Sequence, residues 1–239
     1  MFLKFDNISF SYGEDLAIND VSFEMNKGEI VGLIGANGSG KTTAILNIIK
    51  YLQPRSGKIY VKGIDILKLK NENFPVSYIP DDPIFYDELT MLEHFHFLKA
   101  LYPDNELTIE YLIDKLELHP HLQKVPSALS KGTKQKLLIA LSLLRDYEIL
   151  IADEPFNGLD PKQISIFKDT LLNCKKLGKA VLLSTHLLDM VDGLCDKYIL
   201  LKDGKRIAYG TKKEIIKMHN LNTDITLEQI YLTLIERVE

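Results

Sequence analysis

The stretch GANGSGKTT, from Gly35 to Thr43, decides the fold of this 239-residue chain. It follows the apolar run EIVGLI and precedes a segment with helical periodicity, so a buried strand, this loop and a helix are predicted in succession. Gly35, Gly40, Lys41 and Thr42 fit the pattern G-x-x-x-x-G-K-[ST]. Glycines let the backbone approach an anion, and the amides at a helix N-terminus point toward it. The loop is therefore predicted to bind the phosphates of a nucleoside triphosphate.

Catalytic and metal-binding side chains are predicted in and beyond this loop. Lys41 is expected to reach the β- and γ-phosphates, and the Thr42 hydroxyl to be a ligand of Mg²⁺. The apolar run EILIAD ends in Asp153, which is expected to hold Mg²⁺ directly or through water. Glu154 follows as the general base for the attacking water. Alone, such a carboxylate pair is an ordinary strand end, and the phosphate loop makes the assignment specific.

The hydrophobic pattern predicts an α/β fold with a mainly parallel core sheet. Short apolar runs typical of strands buried on both faces alternate with helical segments, and they occupy residues 29–35, 148–153, 180–185 and 198–201. At the N-terminus the apolar residues alternate with polar ones, which predicts half-exposed antiparallel strands.

The middle of the chain, from about residue 88 to 146, carries amphipathic helical patterns and little strand pattern. A helical subdomain inserted into the sheet domain is therefore predicted. One of its helices is expected to begin after Thr90, where Thr90 and Glu93 have the spacing of a capping box.

Two further stretches complete a recognisable order of motifs. LSKGTKQK occupies residues 129–136 and precedes ILIADEPFNGLD at 149–160. With the phosphate loop, these motifs resemble an ATP-binding cassette (ABC) ATPase. The resemblance implies the P-loop NTPase ABC fold, with one ATPase domain at 1–215, the helical subdomain at about 88–146 inserted in it, and a short helical tail at 216–239.

The resemblance also implies which residues bind ATP. Tyr12 would stack on adenine, and Ser130 and Gly132 would bind the γ-phosphate held by an opposite subunit. Ser130 has the position of an N-cap, so the positive end of the following helix would face that anion. Asp160 belongs to the loop NGLD, which would cross the dimer interface. The phosphate-loop residues implied to contact the nucleotide are Gly35, Ala36, Asn37, Gly38, Ser39, Gly40, Lys41, Thr42 and Thr43.

Three more residues take their interpretation from the family. His186, after the apolar run AVLLST, resembles the switch histidine that contacts the γ-phosphate and the attacking water. Asp81 stands where family members usually have glutamine, and it is expected to reach the Mg²⁺ shell through water. Lys131 replaces the usual middle glycine of the signature, and an added cation beside a polyphosphate is electrostatically tolerable.

Composition limits the partners that the chain is expected to have. A net charge of −4 and a pI near 5.9 argue against non-specific nucleic-acid binding. Cys174 and Cys195 have no paired spacing, which favours a reducing cytosol. The longest nearly continuous apolar run, Leu137–Leu144, is far shorter than the ~20 residues of a spanning helix. Membrane association is therefore expected only through a partner, on the inner face of the cell membrane.

The sequence favours the nucleotide-binding subunit of an ABC transporter that drives export. Its expected partners are a second ABC cassette, identical or paralogous, and a transmembrane permease subunit, with no direct nucleic acid. The permease is expected to dock on the segment at residues 80–95, PDDPIFYDELTMLEHF, through exposed Phe85 and Tyr86. The alternative is a soluble ABC ATPase acting on ribosomes or DNA, a class that usually carries two cassettes, a long coiled coil or zinc motifs.

Overall fold

A computed structural model describes residues 1–237 apart from the side chain of Asn73, and it shows an α/β architecture. The strands are β1 Leu3–Tyr12, β2 Asp15–Met25, β3 Ile30–Ile34, β4 Ser56–Val61, β5 Ile64–Asp65, β6 Val76–Ile79, β7 Ile149–Asp153, β8 Ala180–Thr185, β9 Lys197–Lys202 and β10 Lys205–Gly210. The helices are α1 Lys41–Ile48, α2 Met91–Leu101, α3 Ile109–Lys115, α4 Lys131–Leu144, α5 Pro161–Lys176, α6 Leu188–Val191, α7 Lys212–Met218 and α8 Leu227–Glu236.

The strands form two sheets, as the hydrophobic patterns predict. The N-terminal sheet has the order β2-β1-β4-β5 and is antiparallel. The second sheet has the order β10-β9-β3-β8-β7-β6, with parallel pairing from β9 to β6 and an antiparallel edge strand, β10. The predicted fold class is confirmed.

The central strand β3 is buried on both faces because it separates two hydrophobic clusters. Val31 and Leu33 pack with the N-terminal sheet and α1, whereas Ile30 and Ile34 pack with the helices on the other side. Every residue of β3, β7 and β8 is buried. Continuous apolar runs, without alternation, are what strands in this position require.

Between β6 and β7 the described chain forms α2, α3 and α4. The predicted capping box is confirmed: the Thr90 hydroxyl accepts a hydrogen bond from the Glu93 amide at 3.3 Å, and the Glu93 carboxylate accepts one from the Thr90 amide at 2.7 Å. The division into a domain at 1–215, a subdomain at 88–146 and a tail at 216–239 stays a prediction. Val238 and Glu239, at the end of that tail, lie outside the described residues.

No helix within residues 1–237 is both long enough and apolar enough to cross a membrane. Cys174 and Cys195 are buried free thiols.

Candidate nucleotide site

Parallel register brings the predicted catalytic residues to one edge of the second sheet. Ile34, the last residue of β3, pairs with Thr185 of β8, and Ser184 pairs with Asp153 of β7. The chain continuing from each of these strands therefore leaves the sheet at the same edge. Loops at the carboxyl ends of parallel strands are the usual place for ligands in open α/β sheets.

The phosphate loop has the backbone that its glycines make possible. Gly38 and Gly40 have φ values of 81° and 99°, in the left-handed region. A Cβ on Gly40 would also lie only 2.7 Å from the Ala17 carbonyl oxygen, so strand β2 closes over the loop. Helix α1 begins directly afterwards at Lys41, and its N-terminal amides follow the turn.

Lys41 is buried and has three oxygen partners. Its Nζ donates to the carbonyls of Gly35 at 2.8 Å and Ala36 at 3.2 Å. It also lies 3.2 Å from Oε1 of Glu154. The ammonium is thus held between the phosphate loop and the end of β7.

Asp153 fits the part of an oxygen ligand for a cation. The Ser184 hydroxyl donates to its Oδ1, whereas Oδ2 is buried with no hydrogen-bond partner among the described residues. Burial raises the pKa of the Asp153 carboxyl, and the nearby hydroxyls of Ser184 and Thr42 partly oppose that rise. Thr42 itself is exposed. A buried unpaired carboxylate oxygen beside an open hydroxyl matches the oxygen ligands that Mg²⁺ prefers.

The buried carboxylate of Glu154 contacts the predicted switch histidine, whose side chain is half-exposed. Its Oε2 lies 2.9 Å from Nδ1 of His186 and accepts a hydrogen bond from the His186 amide at 3.3 Å. The Glu154 amide donates to the Ser184 hydroxyl at 3.1 Å. Glu154 has a φ of 46°, an uncommon backbone conformation for a side-chain-bearing residue. The carboxylate is therefore fixed between Lys41 on one side and His186 on the other.

Tyr12 lies close to the phosphate loop, as its predicted role requires. Its ring is half exposed, and its hydroxyl is 3.5 Å from Oγ1 of Thr43. The ring of Phe10 packs edge-on against it at 4.9 Å between centroids. An aromatic face beside the loop is thus available for stacking.

The predicted signature residues lie around a cavity of about 240 Å³, away from the phosphate loop. Ser130 caps α4, because its hydroxyl accepts a hydrogen bond from the Thr133 amide at 3.2 Å, and this cap confirms the prediction. Asp160 caps α5 by accepting from the Gln163 amide at 2.9 Å. The cavity has no phosphate-loop residue in its lining, which consists of Ser130, Gly132, Thr133, Lys136, Gly158, Leu159, Asp160 and Gln163.

Asp81 is exposed, and its Oδ1 accepts a hydrogen bond from Nδ2 of Asn157 at 3.0 Å. Its negative charge contributes to the raised pKa of Asp153, so the two carboxyl groups interact electrostatically. Asp81 is therefore tied to the NGLD loop.

Sequence reasoning missed two residues that support this site. Ser184 holds both Asp153 and the Glu154 amide. Tyr231, far away in the sequence, accepts a hydrogen bond from the Ala36 amide at 2.9 Å. The sequence gives one indication for Ser184, which is its position near the end of the apolar run AVLLST, a predicted neighbour of the strand that ends in Asp153. Nothing in the local pattern of α8 indicates the contact of Tyr231.

Fold and site together define a P-loop nucleotide-hydrolysing cassette, and comparisons with known proteins give its family. The sequence pattern of the ABC transporter family matches residues 18–157. The ABC-type transporter ATP-binding protein EcsA of Bacillus subtilis is 34% identical over 237 residues, which cover 97% of this chain and 96% of that protein. A solved structure of an ATP binding subunit of an ABC transporter is 33% identical with a TM-score of 0.89, and the match covers 98% of this chain and 99% of that chain.

Relatives differ in the direction of transport that their names state. The Nod factor export ATP-binding protein I of Rhizobium etli is 29% identical, over 90% of this chain and 69% of that protein. The methionine import ATP-binding protein MetN of Lactobacillus johnsonii is 33% identical, over 87% of this chain and 64% of that protein. The chain belongs to the ABC transporter family and is one of its ATP-hydrolysing cassettes.

Proposed function

We propose that this chain is the ATPase subunit of a membrane exporter, which binds MgATP between two cassettes and drives a separate permease. The observation that carries the catalytic part is that the buried carboxylate of Glu154 lies 3.2 Å from the buried Lys41 ammonium and 2.9 Å from the half-exposed His186 ring, beside the phosphate loop. A base, a cation for phosphate oxygens and a histidine in contact are the groups that phosphoryl transfer to water needs.

In this proposal the residues divide nucleotide binding, metal binding and catalysis among them. Lys41 binds the β- and γ-phosphates, and Tyr12 stacks on adenine. Glu154 takes the proton of the attacking water, while His186 orients that carboxylate and contacts the γ-phosphate. Thr42 and Asp153 hold Mg²⁺, which supplies neutralisation of phosphate charge when bound, and Asp81 acts on the same shell through water.

The cavity around the signature residues supports a head-to-tail pair of cassettes. Ser130, Gly132 and Asp160 lie at the N-termini of α4 and α5, where amides favour an anion, yet they share no lining with the phosphate loop. In the proposed pair, a twofold axis would set this cavity of one chain against the phosphate loop of the other. The second cassette is either a copy of this chain or a paralogue.

The surface at residues 80–97 supports docking of a permease. Ile84 is 87% exposed and Tyr86 is 58% exposed, and exposed acidic residues surround them. The prediction that Phe85 is exposed is wrong, because the side chain is half-buried: its ring packs edge-on against His94 and lies against the hydrophobic core. Phe97, 40% exposed, contacts Tyr86 and extends the apolar surface instead. Apolar side chains rimmed by charge are typical of protein interfaces.

Export is the finer part of the proposal, and it rests on sequence features. Lys131 in the signature SKG and the stretch NGLDP look most like ATPases of bacterial exporters. The exporter relative from Rhizobium etli is consistent with this direction, and the importer relative shows that the fold serves both. Attachment through the permease places the chain in the cytoplasm, on the inner face of the membrane.

Replacing the proposed base tests the catalytic part. Glu154→Gln keeps the size of the side chain and removes its basicity, so ATP turnover is expected to fall by about 10²-fold or more, while ATP binding persists. Glu148→Gln is the matched control, because Glu148 pairs with surface Lys27 and Lys62. Undiminished turnover in Glu154→Gln would remove Glu154 from the role of base.

Co-purification tests the partners. Tagged Glu154→Gln protein with ATP is expected to recover a multi-spanning membrane protein from detergent-solubilised membranes, at near-equal stoichiometry by mass spectrometry. Ile84→Ser should weaken this recovery, whereas Leu177→Ser, which alters a side chain that is 73% exposed elsewhere, should not. Recovery of ribosomes or DNA-bound factors would replace the transporter proposal with a soluble ATPase.

Transport measurements in cells test the direction of transport. Loss of substrate uptake by cells carrying Glu154→Gln would contradict export.

A further inference from the structure

The C-terminal helix α8 packs one face into the core beside the phosphate loop. Leu227, Ile230, Tyr231 and Leu234 are buried on that face, and Tyr231 is only 6% exposed. The helix begins with a capping box at Thr226, so its N-terminus is well defined.

The Tyr231 hydroxyl makes two hydrogen bonds with the backbone of other elements. It accepts from the amide of Ala36, the second residue of the phosphate loop, at 2.9 Å. It donates to the carbonyl of Leu201, in β9, at 3.1 Å. Burial raises the pKa of the Tyr231 phenol, so the hydroxyl keeps the proton that it donates.

Both hydrogen-bond partners of the Tyr231 hydroxyl contact residues of the phosphate loop. The carbonyl of Ala36 accepts from the Ser39 amide at 3.1 Å and from Nζ of Lys41 at 3.2 Å. The Leu201 carbonyl lies so close to Gly35 that a Cβ there would be 2.8 Å from it. Tyr231 therefore fixes the peptide group between Gly35 and Ala36. The carbonyls of these two residues accept the hydrogen bonds that orient Lys41.

We propose that Tyr231 is a positioning residue of the phosphate loop, through which helix α8 sets the affinity of the site for nucleotide. The inference rests on the proposed role of residues 35–43 in holding phosphates. Without the hydroxyl the Ala36 amide loses its partner, and the turn from Ala36 to Ser39 samples orientations in which Lys41 is misplaced. Binding through this loop then costs more ordering of the backbone.

The test compares Tyr231→Phe with Tyr147→Phe in the full chain. Tyr147 is a similarly buried tyrosine whose hydroxyl lies 3.4 Å from Sγ of Cys174. Calorimetry with MgADP is expected to show a dissociation constant about three to ten times higher for Tyr231→Phe, the effect of one hydrogen bond, and no change for Tyr147→Phe. Hydrogen exchange of the Ala36 amide, followed by NMR without nucleotide, should become about tenfold faster in Tyr231→Phe alone.

Unchanged MgADP affinity in Tyr231→Phe would overturn the inference, even if the melting temperature fell or exchange at Ala36 became faster. If that variant does not fold, the wild type decides, because slow exchange of its Ala36 amide is required and rapid exchange refutes the contact. Failure of wild-type protein to bind MgADP would instead refute the proposed function. In turnover assays the inference requires a raised KM with kcat little changed, whereas general loss of folded protein would lower kcat.

Discussion

Gly132→Ala tests how closely the signature motif must approach the NGLD loop. A Cβ on Gly132 would lie 2.5 Å from the carbonyl oxygen of Gly158, and the obstacle is backbone. Gly158 has a φ of 79°, which suits glycine, so this turn has little freedom to rotate away. An ordinary contact needs about 0.9 Å more separation than the structure provides.

The stability change is the difference between two effects. Overpacking of this kind costs ~1–3 kcal/mol. Alanine in a helix regains at most about 1 kcal/mol over glycine, and less in the first turn. With a mid-range overpacking cost and a small first-turn gain, the net loss is about 1–2 kcal/mol, which lowers the melting temperature by roughly 2–8 °C for a chain of this size. If the exposed loop moves to relieve the overlap, NGLD is displaced by up to about 0.9 Å, and misplacement on that scale costs up to ~10²-fold in rate.

Differential scanning fluorimetry and ATP turnover together check this prediction. Lys134→Ala, which shortens a partly exposed side chain on the same helix, should change the melting temperature by less than about 2 °C and leave turnover unaltered. We expect Gly132→Ala to lower turnover by about tenfold or more. Melting temperature and turnover both at wild-type values would show that the two segments separate freely, and the reasoning from their contact would then fail.

Two carboxylates give predictions that depend on pH. Burial raises the pKa of Asp153, so its charge costs stability at neutral pH and this cost fades as pH falls through the raised pKa. Asp153→Asn should therefore raise the melting temperature of nucleotide-free protein at pH 7, and by a smaller amount at acidic pH. Mg²⁺-dependent turnover should fall by ~10²-fold. A lower melting temperature at pH 7 would contradict this prediction. Partial burial acts to raise the pKa of Glu29, but hydrogen bonds from Asn26 and Lys197 outweigh it and lower the pKa. Glu29→Gln should lower the melting temperature at pH 7, with a difference that fades below about pH 4; a difference constant down to pH 3 would disprove this.

The parts of the fold that the sequence predicts are those with local causes. Continuous apolar runs become β3, β7 and β8 because a strand between two layers has no solvent face. The phosphate loop, the end of β7 and the end of β8 then meet, since parallel strands leave the sheet at one edge. The cap at Ser130 is also local, because a hydroxyl and an amide three residues later suffice.

The parts that sequence reasoning missed are set by pairing between distant segments. The hydroxyl of Ser184 reaches Asp153 only because β7 and β8 adopt one particular register, and a shift of one residue would turn it away. Phe85 was expected to be exposed, but it is half-buried against the core, and the neighbouring Ile84 is the exposed side chain. Asp81 was assigned to a metal shell, and the structure adds its bond to Asn157, 76 residues away.

The contacts of Lys41 connect nucleotide binding to the state of the proposed base. Its ammonium faces Glu154 and two loop carbonyls, so any phosphate bound there competes with that carboxylate for the same charge. If Lys41 turned toward a bound phosphate, Glu154 would keep its contacts with His186 and would be free to accept a proton from water. Binding and activation of the base then share one side chain. The contact between Lys41 and Glu154 would therefore keep the proposed base paired until phosphate replaces it.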